Sequence, residues 1–150
     1  MRVVIQRVKE ASVSIDGKIK SKINQGLLIL LGIEPTDTQE AIKWLCNKVT
    51  NLRIFNDEND VMNLSVGAVN GGIIVVSQFT LMASTKKGNR PSYIRAAKPD
   101  IAIPLYEAFV RELHLQSQIE IGTGEFGADM KVALINDGPV TLVIDTKHKE

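Results

Sequence analysis

The sequence predicts an α+β fold in which a largely antiparallel, curved sheet or partial β-barrel packs against two main helices. Three observations support this prediction. About eight short segments are rich in Val and Ile, only two segments have helical periodicity, and strands and helices do not alternate regularly. Of the 150 residues, 44% are hydrophobic and 23% are charged, which is ordinary for one globular domain. We therefore expect one domain that covers residues 1–150.

The first predicted elements are strands in residues 2–8 and 11–15, which are rich in Val and Ile. The pair Asp16-Gly17 then separates two segments in which apolar and polar residues alternate, residues 13–15 and 18–20. An Asp-Gly pair between alternating segments is a strong hairpin signal. The sequence therefore predicts a β-hairpin at this point.

Continuous apolar runs predict two central strands. Residues 27–33 follow Gly26, and residues 73–76 follow a pair of glycines. Runs of this length that are bounded by turn residues are typical of strands buried on both faces.

Two further strands are predicted near the C-terminus, in residues 130–135 and 140–144. Between them lies Asn136-Asp137-Gly138-Pro139, four residue types that favour turns. We expect this segment to form a turn that separates the two strands.

The first predicted helix begins near Asp37, which we expect to be the N-cap, with Glu40 completing a capping box. Its apolar face would consist of Ile42, Leu45, Cys46, Val49 and Leu52. The second predicted helix starts between Pro99 and Pro104 and runs to about Leu115. Its inward face would consist of Leu105, Tyr106, Phe109, Val110 and Leu113.

The small number of Cys and His residues excludes several kinds of site. One Cys cannot form an internal disulfide, and one Cys with two His cannot supply a Cys/His zinc cluster. We expect Cys46 to fill the core, His114 to lie at a helix end and His148 to lie in a polar tail. Residues 122–127 match the spacing G-x-G-x-x-G, but they precede a predicted strand and so do not predict a nucleotide loop. The sequence thus predicts neither a metal nor a cofactor.

The net charge of +1 argues against general polyanion binding of the histone kind, and we expect no DNA partner. The average conceals a basic loop, because residues 82–99 contain no Asp or Glu. Its cations are Lys86, Lys87, Arg90, Arg95 and Lys98. Such a loop is either solvated surface or a phosphate-binding surface on which Tyr93 could stack against a base.

The N-terminal residues 1–9 contain charges within an apolar stretch and no small-residue cleavage site, so they do not predict a signal peptide. The longest apolar run, residues 27–31, is too short to span a bilayer. We therefore expect a cytoplasmic protein without a membrane partner.

Two segments are candidate sites. In Ser77-Gln78-Phe79-Thr80-Leu81, polar side chains appear where a predicted buried strand ends, and active sites often lie at such places. The alternative is that the hydroxyls of Ser77 and Thr80 only satisfy backbone groups there. The second segment, residues 136–141, contains a Gly-Pro pair that restricts the backbone between two strands.

These two segments resemble the two signature motifs of the D-aminoacyl-tRNA deacylase family. The similarity extends over the whole chain and includes residues 1–8, 88–93 and 126–130. Asn89 and Tyr93 differ from the residues that are usual in the family. The resemblance implies a homodimeric enzyme that hydrolyses the ester of D-amino acids, and of glycine, mischarged onto tRNA.

The resemblance also implies roles for individual residues. Ser77, Gln78, Phe79 and Thr80 would line the ester site, with backbone N–H groups near Phe79 and Thr80 as oxyanion donors. An aminoacyl ester is already activated, and the 2′-hydroxyl of the substrate ribose can take part, so few ionisable side chains are needed. We expect Thr80 to orient the substrate rather than to attack it, because no base is placed beside it in the sequence.

Other roles concern chirality and tRNA binding. By resemblance, Gly138-Pro139 adopts a cis peptide, enters the partner's pocket and excludes an L side chain, and Arg7 braces this motif. Phe126 and Met130 would wall an adenine pocket. We expect Lys86, Lys87 and Arg90 to contact phosphates of the acceptor stem of tRNA.

Two alternatives remain open from the sequence. One is the related deacylase class that removes L-alanine and carries a trans Gly-Pro bond. The other is a dimeric tRNA-binding module without activity, which the scarcity of catalytic side chains would permit.

Overall fold

The computed structural model describes residues 1–149, which form eight strands and two α-helices. The strands are β1 (Arg2–Ile15), β2 (Lys18–Ile23), β3 (Gly26–Gly32), β4 (Phe55–Asn56), β5 (Met62–Leu64), β6 (Gly72–Ser77), β7 (Ile121–Thr123) and β8 (Met130–Asp145). The helices are α1 (Gln39–Asn51) and α2 (Pro99–Ser117), and a short 3-10 helix covers Phe79–Met82. The expected α+β class with two main helices is confirmed.

The main sheet is mixed, with the order β2-β1-β3-β6-β7 and with β8 also paired to β1. Strand β1 is antiparallel to β2, β3 and β8. Strand β6 runs parallel to both β3 and β7. Parallel neighbours need crossover connections, and α1 and α2 lie within the two connections concerned. Consequently the two crossovers place both helices beside the sheet, and the carboxyl ends of β3 and β6 meet at one edge.

The N-terminal hairpin is confirmed. Ile15 pairs with Lys18, and the intervening Asp16 and Gly17 have φ angles of 50° and 76°. Positive φ at both loop residues is what a type I′ turn requires. The two segments expected in residues 2–8 and 11–15 are one continuous strand, β1.

The C-terminal expectation is wrong in one respect. Residues 130–145 form one long strand, β8, and not two strands separated by a turn. Gln6 pairs with Thr141 and Val8 with Asn136, so the four residues between those partners bulge out opposite Arg7. Strand β1 pairs with β8 on both sides of this bulge, and the chain therefore keeps its direction.

Helix α1 begins one residue later than expected. Its N-cap is Thr38, whose Oγ1 accepts a hydrogen bond from the Ala41 N–H at 3.3 Å. Asp37 does not cap, because its carboxylate accepts from the Met1 α-ammonium and from the Glu34 N–H.

The predicted helical faces pack into the core. In α1, Ile42, Leu45, Cys46 and Val49 are buried, and Leu52 follows the helix end and is partly buried. In α2, Tyr106, Phe109 and Leu113 are buried, while Leu105 and Val110 are partly buried against the same core. No helix within residues 1–149 is both long enough and apolar enough to cross a membrane.

Candidate functional site

A cavity of about 660 Å³ opens where β6 ends. Ser77 is the last residue of β6, and the Gln78 N–H donates to the Leu31 carbonyl at 2.8 Å, which extends the pairing with β3 by one step. The chain then enters the 3-10 helix at Phe79. Ser77, Gln78 and Phe79 all line the cavity. Ser77 and Gln78, the polar residues at the end of the buried strand β6, therefore border the open cavity.

The opposite wall of the cavity contains Phe126 and Met130. The Phe126 ring contacts the buried Tyr106 ring edge to face, with 6.4 Å between the centroids, and the Tyr106 hydroxyl donates to the Val75 carbonyl at 2.8 Å. Met130 lies over Gly124, where a Cβ would be 2.3 Å from the Met130 sulfur. Phe126 and Met130 are thus positioned by contacts with the core.

Thr80 is connected to the cavity through Gln78. The Gln78 side-chain amide donates to the Thr80 hydroxyl oxygen. An amide N–H is a donor and cannot remove a proton, so this contact orients the hydroxyl without activating it as a nucleophile. The N–H groups of Phe79 and Thr80 open the 3-10 helix and so have no partner within that helix.

The bulge of β8 is anchored by Arg7, a buried arginine. Its Nε donates to the Asp137 carbonyl at 3.0 Å, and its Nη1 donates to the Ile54 carbonyl at 2.6 Å and to Asn56 Oδ1 at 3.2 Å. Gly138 has a φ of 128°, and the Gly138–Pro139 peptide bond is cis. The guanidinium therefore ties the bulge to β4.

The structure separates the predicted residues into three groups within one chain. Ser77, Gln78, Phe79, Phe126 and Met130 share the cavity. Asn136, after which the bulge begins, lies six residues beyond Met130 on β8, which corresponds to roughly 20 Å along an extended strand. Gly138 and Pro139 do not line the cavity of their own chain.

The basic loop forms a third group next to the 3-10 helix. Ser84 and Ser92 close the loop through two backbone hydrogen bonds of 2.8 and 2.9 Å. Lys86 and Lys87 line a groove of about 300 Å³ together with Arg95, and Arg90 is exposed.

Sequence reasoning did not place Lys98 in the cavity, although Lys98 lines it together with Tyr93. The backbone explains this placement, because the Ala97 N–H donates to the Ile33 carbonyl at 2.9 Å and draws the segment against the end of β3. No pattern of neighbouring residues in the sequence predicts the contact between Ala97 and Ile33. Among residues 1–149, no group of three or more His, Cys, Asp or Glu side chains is arranged to hold a metal ion.

Solved structures share the fold of this chain. One is described as "Structural Analysis of a probable eukaryotic D-amino acid tRNA deacylase", with a TM-score of 0.82, 15% identity, and coverage of 95% of this chain and 97% of that one. Another, described as "c-Myc DNA Unwinding Element Binding Protein", has a TM-score of 0.90 and 38% identity, with 97% and 98% of the two chains covered. The fold is thus shared with a structure described as a probable D-amino acid tRNA deacylase.

Sequence comparison then identifies the family. Residues 4–145 match the family model described as "D-Tyr-tRNA(Tyr) deacylase". The D-aminoacyl-tRNA deacylase of Flavobacterium psychrophilum is 67% identical over 150 residues, which is the full length of both chains. This chain therefore belongs to the D-Tyr-tRNA(Tyr) deacylase family, and the resemblance found in the sequence is confirmed.

Proposed function

We propose that this chain hydrolyses the ester bond of D-aminoacyl-tRNA in the cytoplasm and releases the free D-amino acid and tRNA. The main observation that supports the proposal is the cavity at the end of β6. It is lined by Ser77 and Gln78 and by the apolar side chains of Phe126 and Met130. Its volume of about 660 Å³ suits a ligand of the size of an aminoacylated nucleoside. The family membership gives the same reaction class.

The chemistry requires orientation and charge stabilisation more than it requires catalytic side chains. Water adds to the ester carbonyl, and the ribose oxygen leaves with a proton. The N–H groups of Phe79 and Thr80 are proposed to stabilise the oxyanion that forms on the carbonyl oxygen. Ser77 and Gln78 would position the ester, and the 2′-hydroxyl of the substrate would assist the proton transfer.

Chirality is proposed to be read by Gly138 and Pro139 of a second copy of the chain. Two observations support a cross-subunit arrangement: Gly138 and Pro139 do not line the cavity of their own chain, and exposed apolar side chains on β8 leave a surface for a partner. These side chains are Ile135 and Val143.

In that arrangement, the carbonyl groups of Gly138 and Pro139 would accept hydrogen bonds from the substrate's ammonium group. The bulk of the motif would exclude an L side chain. Glycine has no side chain to exclude, so glycyl-tRNA would also be hydrolysed.

The basic loop is proposed to bind the acceptor stem of tRNA. Lys86, Lys87 and Arg90 are exposed, and residues 82–99 contain no acidic residue. Cations in such a segment bind phosphates with little dependence on the nucleotide sequence.

The deciding experiment compares D-tyrosyl-tRNA, L-tyrosyl-tRNA and L-alanyl-tRNA as substrates. We expect loss of the ester from D-tyrosyl-tRNA only. Hydrolysis of L-alanyl-tRNA alone would instead indicate the related L-specific class. Binding of all three substrates without ester loss would indicate a tRNA-binding module.

A further inference from the structure

An exposed pair of aromatic rings lies at the mouth of the cavity. The Phe79 and Tyr93 rings meet edge to face, with 5.1 Å between the centroids and an interplanar angle of 77°. Phe79 is 53% exposed and Tyr93 is 38% exposed, and both line the cavity. The second aromatic pair, Tyr106 with Phe126, is built into the core. The exposed pair is therefore available to a ligand.

The backbone fixes both rings. Phe79 is the first residue of the 3-10 helix, which follows directly from β6. Tyr93 follows Ser92, which is bridged to Ser84, and the Tyr93 carbonyl accepts from the Ala96 N–H at 2.9 Å. Phe79 and Tyr93 thus lie on either side of the loop that Ser84 and Ser92 close, and their backbone would need little ordering when a planar group binds.

The charge around the pair is positive. Lys98 lines the same cavity, and the residues between the two aromatics include Lys86, Lys87 and Arg90 but no Asp or Glu. The acidic residue on the far wall, Asp129, is exposed and paired with Lys131 at 2.9 Å. Exposed aromatic rings combined with cations are the combination that single-stranded nucleic acid prefers, because bases stack on the rings and phosphates meet the cations.

We propose that Phe79 and Tyr93 form a stacking site for the nucleotide base that precedes the terminal nucleoside of the tRNA acceptor end. This proposal rests on the proposed function, which places an aminoacylated nucleoside in the cavity that Phe126 and Met130 line. The preceding base is unpaired and is joined to the terminal nucleoside by one phosphate. Lys98 lies at the same opening and is the cation for that phosphate. The stacking site increases the affinity for the acceptor end of tRNA and does not discriminate between amino acids.

The test uses two minimal substrates, D-tyrosyl-adenosine and D-tyrosyl-cytidylyl-adenosine, with the full-length protein and its Tyr93→Leu and Tyr93→Phe variants. We expect the wild type to hydrolyse the dinucleotide ester about 5- to 150-fold more efficiently in kcat/KM. That range corresponds to the about 1–3 kcal/mol of base stacking on one aromatic side chain. Tyr93→Leu should lose at least about fivefold more kcat/KM on the dinucleotide ester than on D-tyrosyl-adenosine, and Tyr93→Phe should keep the advantage of the dinucleotide ester.

Three results would overturn the proposal. Equal kcat/KM of the wild type on both esters would show that the preceding base is not bound. Equal losses on both esters in Tyr93→Leu would show that the ring only supports the cavity. A changed sedimentation coefficient in Tyr93→Leu would show that a second copy of the chain occupies the rings. If the wild type hydrolyses neither ester nor D-tyrosyl-tRNA, the proposed function itself fails, which is a separate outcome from these three.

Discussion

The Arg7 guanidinium donates to the Asp137 carbonyl at 3.0 Å and thereby connects the middle of β1 to the bulge of β8. The same side chain also donates to the Ile54 carbonyl and to Asn56 on β4. One buried cation thus determines where the Gly138–Pro139 segment lies.

Replacing Arg7 with Lys should weaken both stability and activity. A lysine ammonium cannot satisfy three acceptors that are arranged for the planar guanidinium, and a buried acceptor left without a partner costs about 1–3 kcal/mol. We expect a lower urea midpoint and at least a tenfold loss (~1.4 kcal/mol) of D-tyrosyl-tRNA hydrolysis. The matched control is Arg53→Lys, because Arg53 is exposed and donates to one carbonyl, that of Asn63. Wild-type activity in Arg7→Lys would contradict the proposed brace.

Gly138→Ala should damage the bulge specifically. A Cβ at this position would lie 2.9 Å from Arg7 Nη2 and 2.9 Å from Val140 Cγ2, at a φ of +128°. We expect reduced stability in urea unfolding and loss of D-tyrosyl-tRNA hydrolysis. Gly17→Ala is the control, because Gly17 also has positive φ but has nothing within 4 Å of the added Cβ. It should cost about 1–2 kcal/mol in backbone strain and keep its activity.

Thr80→Ala and Thr80→Val should remain active in single-turnover deacylation. We expect a decrease of about fivefold, the effect of losing one hydrogen bond of about 1 kcal/mol, because the Gln78 side chain loses its acceptor. Thr80→Ser keeps the hydroxyl and should react at the wild-type rate. Mass spectrometry of quenched reactions should show no aminoacyl ester on the protein. An ester trapped on Thr80 would show that the residue is a nucleophile.

The salt dependence of tRNA binding should depend on the basic loop. With Lys86, Lys87 and Arg90 all changed to Gln, we expect the slope of log K against log salt to fall by about 2, since each phosphate contact contributes about 0.7–0.9. The control changes Lys18, Lys20 and Lys22 to Gln, which removes three cations from the exposed side of β2. If the two triple variants have equal slopes, the loop is only solvated surface.

Cys46 should be inert in the native protein. Its side chain is fully buried, and burial, together with the nearby Glu112 charge, raises the pKa of the thiol to about 12. Iodoacetamide at pH 8.5 should therefore modify Cys46 only after unfolding.

The same pKa shift predicts how stability depends on pH. The folded state holds the Cys46 proton more tightly than the unfolded chain, so the contribution is complete below the ordinary thiol pKa of about 8.5. It is lost as the pH rises towards about 12. Urea unfolding of Cys46→Ala should show a flatter decline above pH 9 than the wild type does. If the stability of the two proteins decreased identically above pH 9, this would contradict the raised pKa of Cys46.

Local patterns account for the parts of the fold that could be predicted. The Asp16-Gly17 hairpin, the apolar strands β3 and β6 and the buried faces of the helices each depend on residues that are close in sequence. The bulge was mistaken for a turn because its four residues favour turns locally, whereas pairing with β1 on both sides depends on residues more than 120 positions away.

The candidate site, like the fold, could be predicted from local sequence patterns only in part. The polar run after β6 could be located from the sequence, because it follows a buried strand. The approach of Phe126 to that run depends on the parallel pairing of β6 with β7, and Lys98 reaches the cavity through the contact of Ala97 with Ile33. Neither contact leaves a periodic signal in the chain.

The continuity of β8 determines which genetic changes the chain can tolerate. Met130 pairs with Ile15 and Asn136 pairs with Val8. The segment of β8 between the cavity wall and the bulge is therefore paired with β1 at both of its ends. The pairing in this segment already contains one register shift, between Val8 and Glu10. Loss or gain of one more residue would exchange the inward and outward faces of the paired residues that follow it, unless a further bulge took up the change. We therefore expect this segment to tolerate substitutions better than changes in its length.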